Sequence, residues 1–155
     1  MSAGRAFTVA IVMGAALALT GSARAQLVPE VKLRISGPGP GQNFGACVAR
    51  GGDINGDGYD DFLVGAPKAP GTRNEAGRVY IVLGGTDLDT VPDLTILGRY
   101  ATGHFGASVA GVGDFNGDGY DDYVVGNPEY NLGLVSGTYG RAWVYFGGAR
   151  LSDVN

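Results

Sequence analysis

After residue 40 the apolar positions come in short clusters, each closed by glycine, proline, asparagine or aspartate. Ala46 to Ala49 is small and apolar. Asp61-Phe62-Leu63-Val64 is followed by Gly-Ala-Pro. Arg78 to Leu83 is β-branched and aromatic and ends in Gly-Gly, and Leu94 to Leu97 ends in Gly98. Each run has the length of a strand, and none keeps a helical period across ten residues. The pattern then repeats. Phe44-Gly45-Ala46 returns as Phe105-Gly106-Ala107, and Gly65-Ala66-Pro67 as Gly126-Asn127-Pro128. Gly77 to Tyr80 returns as Gly140 to Trp143, after two extra residues placed between Pro128 and Gly140. Val28-Pro29 returns as Val91-Pro92, and Val154-Asn155 falls where the next return is due. Four short strands in a repeat of about sixty residues describe one blade of a β-propeller. The expected fold is all-β, with blades of four antiparallel strands.

The most faithful part of the repeat is acidic. Gly52 to Asp61 reads GDINGDGYDD and Gly113 to Asp122 reads GDFNGDGYDD, so Ile54 against Phe115 is the single difference. Counting from Asp53, oxygen side chains stand at the first, third, fifth and ninth positions: Asp53, Asn55, Asp57 and Asp61. Tyr59, at the seventh, offers a backbone carbonyl. The second copy supplies Asp114, Asn116, Asp118, the Tyr120 carbonyl and Asp122. Oxygen-only sets of this kind suit Ca²⁺, which takes about 6–8 oxygens. The lack of Cys and His in the phrase disfavours zinc and copper, and Mg²⁺ prefers fewer protein ligands in a stricter octahedron. Two calcium sites, one per repeat, are therefore expected. An EF-hand would need a bidentate Glu at the twelfth position, where Val64 and Val125 stand, and a dockerin fails likewise. The competing reading is a plain solvated Asp-Gly turn. Asp60 and Asp121 are not counted as ligands. Their side chains are expected to face solvent or a neighbouring turn.

Met1 to Arg5 is short and basic, Ala6 to Thr20 is apolar and small, and Ala23-Arg24-Ala25 has the form of a cleavage site. Residues 1–25 therefore read as a signal peptide cut after Ala25, which sends the chain to the periplasm or the exterior. The run is shorter than the about 20 residues of a membrane span, and no later segment reaches that length. The expected units are then 26–90 and 91–155. The formal charge of −4 becomes −6 once Arg5 and Arg24 are removed, and eight of the 15 acids lie in the two acidic phrases. No basic stripe suggests nucleic acid. The one Cys, Cys47, matches Ser108 and reads as a small packed residue.

These residues together resemble the FG-GAP repeat of integrin α-subunit propellers and their bacterial relatives. The resemblance rests on Phe44-Gly45, Asp53 to Asp61 and Gly65-Ala66-Pro67, and again on Phe105-Gly106 and Asp114 to Asp122. The second copy departs at Gly126-Asn127-Pro128, a position expected to line a turn. The resemblance implies calcium in the hairpin between the first two strands of each blade, usually seven blades, and ligand or partner binding on the opposite face. That face would carry loops such as Lys68 to Ala76, Arg99 to His104 and Glu129 to Tyr139. Phe44 and Phe105 would pack between blades, and Tyr80 and Trp143 would sit on third strands. Two units cannot close a ring, so a piece of a longer propeller is expected, with self-association of copies as the other possibility. The expected function is an exported, calcium-stabilised module that binds an extracellular protein or glycan. The alternative is the scaffold of a secreted hydrolase or lyase whose catalytic part lies elsewhere. His104, Ser108, Ser136, Glu75 and Glu129 form no evident catalytic set. Arg78 and Arg141 read as structural, pairing with an acid of the adjacent turn.

Overall fold

The computed structural model describes residues 33–129 and 139–151, all within one compact unit, Val31–Asn155. The expected signal peptide, the Val28-Pro29 and Val154-Asn155 repeats, Ser136 and nearly all of the Glu129–Tyr139 loop lie outside the described residues. The described chain is all-β, with seven strands and no helix. They are β1 (Cys47–Gly52), β2 (Asp61–Ala66), β3 (Arg78–Val82), β4 (Leu94–Leu97), β5 (Ser108–Gly113), β6 (Asp122–Asn127) and β7 (Arg141–Tyr145).

Strands β1 to β4 form an antiparallel meander in chain order, and β5 to β7 form a second. These are the β-propeller units expected from the repeat. The pleat separates two faces of the first sheet. Leu63, Val79, Ile81 and Ile96 point to one side, while Val64, Ala66 and Tyr80 point to the other. The first set meets Phe105, Tyr123 and Val125 of the second unit in a buried core, with Val109, Trp143 and Tyr145 against it. At 25 cal/mol per Å² of apolar surface, burying each such side chain contributes about 1.5–3 kcal/mol. The Tyr123 and Tyr145 rings stack there at 5.3 Å. On the other side Phe44 meets Tyr80 edge-on, with centroids 5.2 Å apart.

The repeated Phe-Gly precedes the first strand of each unit. Phe105 donates its amide to Ala76 O at 3.0 Å and sits in the core between the sheets. Cys47 is half-buried and donates its Sγ–H to Gly106 O at 3.0 Å. Burial pushes its thiol above the usual range, which fits a packed residue and not a nucleophile. Two expectations require correction. Asn127 does not line a turn: it is the last residue of β6 and only 2% exposed. Among the described residues Arg78 meets a carbonyl and not an acid, its Nε donating to Pro70 O; the Arg141 guanidinium lies 6.0 Å from the Trp143 ring centre.

Candidate metal-binding hairpins and their surroundings

Each acidic phrase is the turn between the first two strands of its unit. β1 bulges between Arg50 and Gly52 as it enters the turn, and β5 bulges at Gly111 and Gly113. Left-handed glycines then fold the chain back sharply, with φ of 89° at Gly58 and 93° at Gly119. A side chain would be strained at either.

Inside the first turn the side-chain oxygens collect backbone amides. Asp53 accepts from Asp57 N and Gly58 N, both at 2.9 Å. Asn55 Oδ1 also accepts from Asp57 N, and Asp57 Oδ1 accepts from Tyr59 N. The Asn55 amide donates to Asp57 Oδ2 at 2.8 Å. The second turn repeats the arrangement: Asp114 holds the amides of Gly117, Asp118 and Gly119, Asn116 holds Asp118 N, and Asp118 holds Tyr120 N. So Asp53, Asn55 and Asp57 face the same small loop, as do Asp114, Asn116 and Asp118.

The ninth-position acids behave differently. Asp61 is buried and latches three pieces of chain together. Its Oδ2 accepts from Ile54 N at 2.9 Å and its Oδ1 from Gly84 N, beyond β3, at 2.7 Å. Asp122 accepts from Phe115 N and Asn116 N on one oxygen and from Gly147 N on the other. Burial raises Asp61 above the usual carboxylate range. The amides of Gly84 and Ile54 work against that, and repulsion from Asp57 and Asp53 adds to it. The motif therefore ties the turn to the strand that follows two elements later, a role the repeat spacing alone did not reveal.

The donor chemistry fits a hard divalent cation: carboxylates, an amide oxygen and nearby carbonyls, with no nitrogen or sulfur. Among the described residues no three Asp, Glu, His or Cys side chains are gathered into a metal-holding group.

The eighth-position acids have a second use. Asp121 reaches back to the first unit, where its Oδ2 accepts from Asp53 N at 2.8 Å, and Asp121 N donates to Asp53 O at 3.1 Å. A Cβ at Gly52 would overlap that carboxylate. Asp60, its counterpart, is exposed and bonds Arg50 at 2.6 Å. Both fit the expectation that these acids face solvent or a neighbouring turn.

At the other end of the strands, a cavity of about 160 Å³ opens between the sheets. Leu97, Tyr100, Phe105, Asn127, Trp143 and Tyr145 line it. His104, which precedes Phe105, is in a left-handed conformation, as is Asn43 at the matching place in the first unit, and the His104 Nδ1 is 3.2 Å from Glu129 Oε2.

The FG-GAP repeat model matches residues 44–82 and 105–145, which together exceed half the chain. The chain belongs to the FG-GAP repeat family. Among relatives, the integrin alpha-PS2 of Drosophila melanogaster is 38% identical over 119 residues, 72% of this chain and 8% of that protein. Mouse integrin alpha-IIb is 40% identical over 102 residues, 61% of this chain and 10% of the relative. Bovine phosphatidylinositol-glycan-specific phospholipase D is 42% identical over 106 residues, 61% of this chain and 12% of the relative. This FG-GAP chain thus matches about a tenth of the length of these curated relatives, among which both integrin alpha chains and a phospholipase occur. No helix among its described residues is long and apolar enough to cross a membrane.

Proposed function

We propose that this chain is an exported, calcium-stabilised propeller module that recognises an extracellular protein or glycan. The observation that carries the reading is the doubled hairpin: nine of ten residues recur, and the same side chains hold the same amides in both turns. Asp53, Asn55, Asp57, the Tyr59 carbonyl and Asp61 hold Ca²⁺ in the first hairpin. Asp114, Asn116, Asp118, the Tyr120 carbonyl and Asp122 hold it in the second. The cation supplies positive charge that offsets the repulsion among converging carboxylates, so its binding adds to folding stability. Units 26–90 and 91–155 follow the signal peptide of residues 1–25.

Recognition falls to the end of the strands away from the hairpins. The aromatic lining of the cavity, with Arg99 and Asn127 at its wall, suits stacking on a sugar ring or an aromatic side chain. Similarity to phosphatidylinositol-glycan-specific phospholipase D supports a second reading, in which the module is the scaffold of a secreted hydrolase. The test is binding of the purified chain to arrayed glycans and to cell-surface protein extracts, with and without chelator, beside an assay for glycan and lipid hydrolysis. Chelator-sensitive binding without turnover is the expected result. Turnover by this chain in the presence of chelator would overturn the reading.

A further inference from the structure

The two acidic hairpins are joined by contacts that end on a proposed cation ligand at either side. Ile54, the residue after Asp53, is held through both of its backbone groups. Its N–H donates to Asp61 Oδ2 at 2.9 Å, within the first hairpin. Its carbonyl accepts from Gly148 N, beyond β7, at 2.8 Å. The adjoining Gly147 N donates to Asp122 Oδ1 at 2.9 Å. A continuous path therefore links the ninth-position carboxylate of one hairpin to that of the other. A Cβ at Gly147 would come within 2.6 Å of Ile54 O, so only glycine admits this approach. A second path runs beside the first. Asp121, next to Asp122, accepts from Asp53 N through Oδ2 at 2.8 Å and donates its own N–H to Asp53 O at 3.1 Å. Tyr120, the residue before, lays its ring against Gly56 in the first turn, where a Cβ would come within 2.5 Å of the Tyr120 Cε1. The matching Gly117 has open space around it among the described residues. The seventh, eighth and ninth positions of the second phrase thus hold the fourth, first and second positions of the first phrase.

We infer that Tyr120 and Asp121 position the first hairpin for its cation, so that the two hairpins load calcium cooperatively; this rests on the calcium reading proposed above. A cation held by the Tyr120 carbonyl and Asp122 orders the stretch between them. That same stretch grips Asp53 and Gly56. The first loop then has less conformational freedom left to lose when its own cation binds. The coupling is reciprocal, so each ion raises the affinity for the other by the same factor. Direct repulsion between the two ions works in the opposite sense. Salt screens that repulsion over about 8 Å at physiological ionic strength, whereas the hydrogen bonds and the ring contact act at short range. Ordering therefore outweighs repulsion. Tyr120 and Asp121 are positioning residues: Asp121 is not a ligand, and the Tyr120 ring acts apart from the Tyr120 carbonyl.

Titration calorimetry of the whole chain with Ca²⁺ at physiological salt tests the coupling. Asp57→Ala and Asp118→Ala each leave one hairpin working and give its affinity alone. The overall wild-type binding constant exceeds the product of these two single-site constants by about fivefold or more. In an Asp121→Ala or a Tyr120→Ala background the excess falls to about one, although both hairpins still take up calcium and the β-type circular dichroism spectrum is unchanged. Asp121→Asn keeps an oxygen that accepts from Asp53 N and retains the excess. Asp60→Ala retains it too, since the Asp60 carboxylate bonds Arg50. Calcium uptake at two independent wild-type sites, or an excess that survives when Tyr120 and Asp121 are both replaced by Ala, would overturn the inference and leave the calcium reading standing. No calcium uptake by the wild type would overturn both.

Discussion

The two acidic hairpins share nine of ten residues and the same internal hydrogen bonds, yet they live in different surroundings. Ile54 in the first is fully buried beneath the second unit, and Phe115 in the second is exposed. Asp121 bridges to Asp53, while Asp60 only meets Arg50 at the surface. The hairpin is therefore a self-contained device, and the contact it makes depends on which unit stands next to it. Stability in a repeat array combines such intrinsic terms with neighbour terms.

Substitutions can separate the two. The largest effect is expected at the buried latches. Asp122→Ala leaves the amides of Phe115, Asn116 and Gly147 without their acceptor, and Asp61→Ala strands those of Ile54 and Gly84. Each loss costs about 3 kcal/mol or more, because hydrogen bonds to charged groups contribute most and abandoned buried donors add a penalty. Denaturant unfolding of the two variants would show similar losses, since this role is internal to each unit. Next comes the neighbour term. Ile54→Ala is expected to destabilise by about 2–5 kcal/mol, in the range of buried large-to-small changes, whereas Phe115→Ala stays within about 0.5 kcal/mol in the monomer. Equal effects at both positions would break the comparison. A modest gain is expected at Asn127. Among the described residues its Oδ1 is buried without a partner, and Ala66 fills the matching place in the first unit. Asn127→Ala restores the Gly-Ala-Pro sequence and stabilises by about 1 kcal/mol, read as a higher Tm.

Much of the fold was legible because periodicity and repetition agree. The runs at Arg78 to Leu83 and Leu94 to Leu97 became β3 and β4 almost residue for residue, since side-chain alternation and glycine boundaries are local signals. Gly-Ala-Pro was harder to read. Gly65 and Ala66 extend β2, because Gly65 lies where Gly106 of the next unit approaches too closely for any side chain. That constraint is tertiary and leaves no mark in spacing. The acids at the ninth position show the same limit. Their placement suggested ligands, but their two-sided grip on Ile54 and Gly84, or on Phe115 and Gly147, depends on a strand two elements away. The partner of Asp121 likewise becomes visible only once the two units are packed together.

The claim on which the functional account rests is that each hairpin binds one calcium ion. Titration calorimetry of the purified mature chain with Ca²⁺ measures this directly, with Asp57→Ala and Asp118→Ala each removing one hairpin. The account predicts two sites in the wild type, one in either variant and none in the double variant, with a rise in Tm that follows site occupancy. Absence of calcium uptake by the wild type, or uptake unchanged in the double variant, would contradict it.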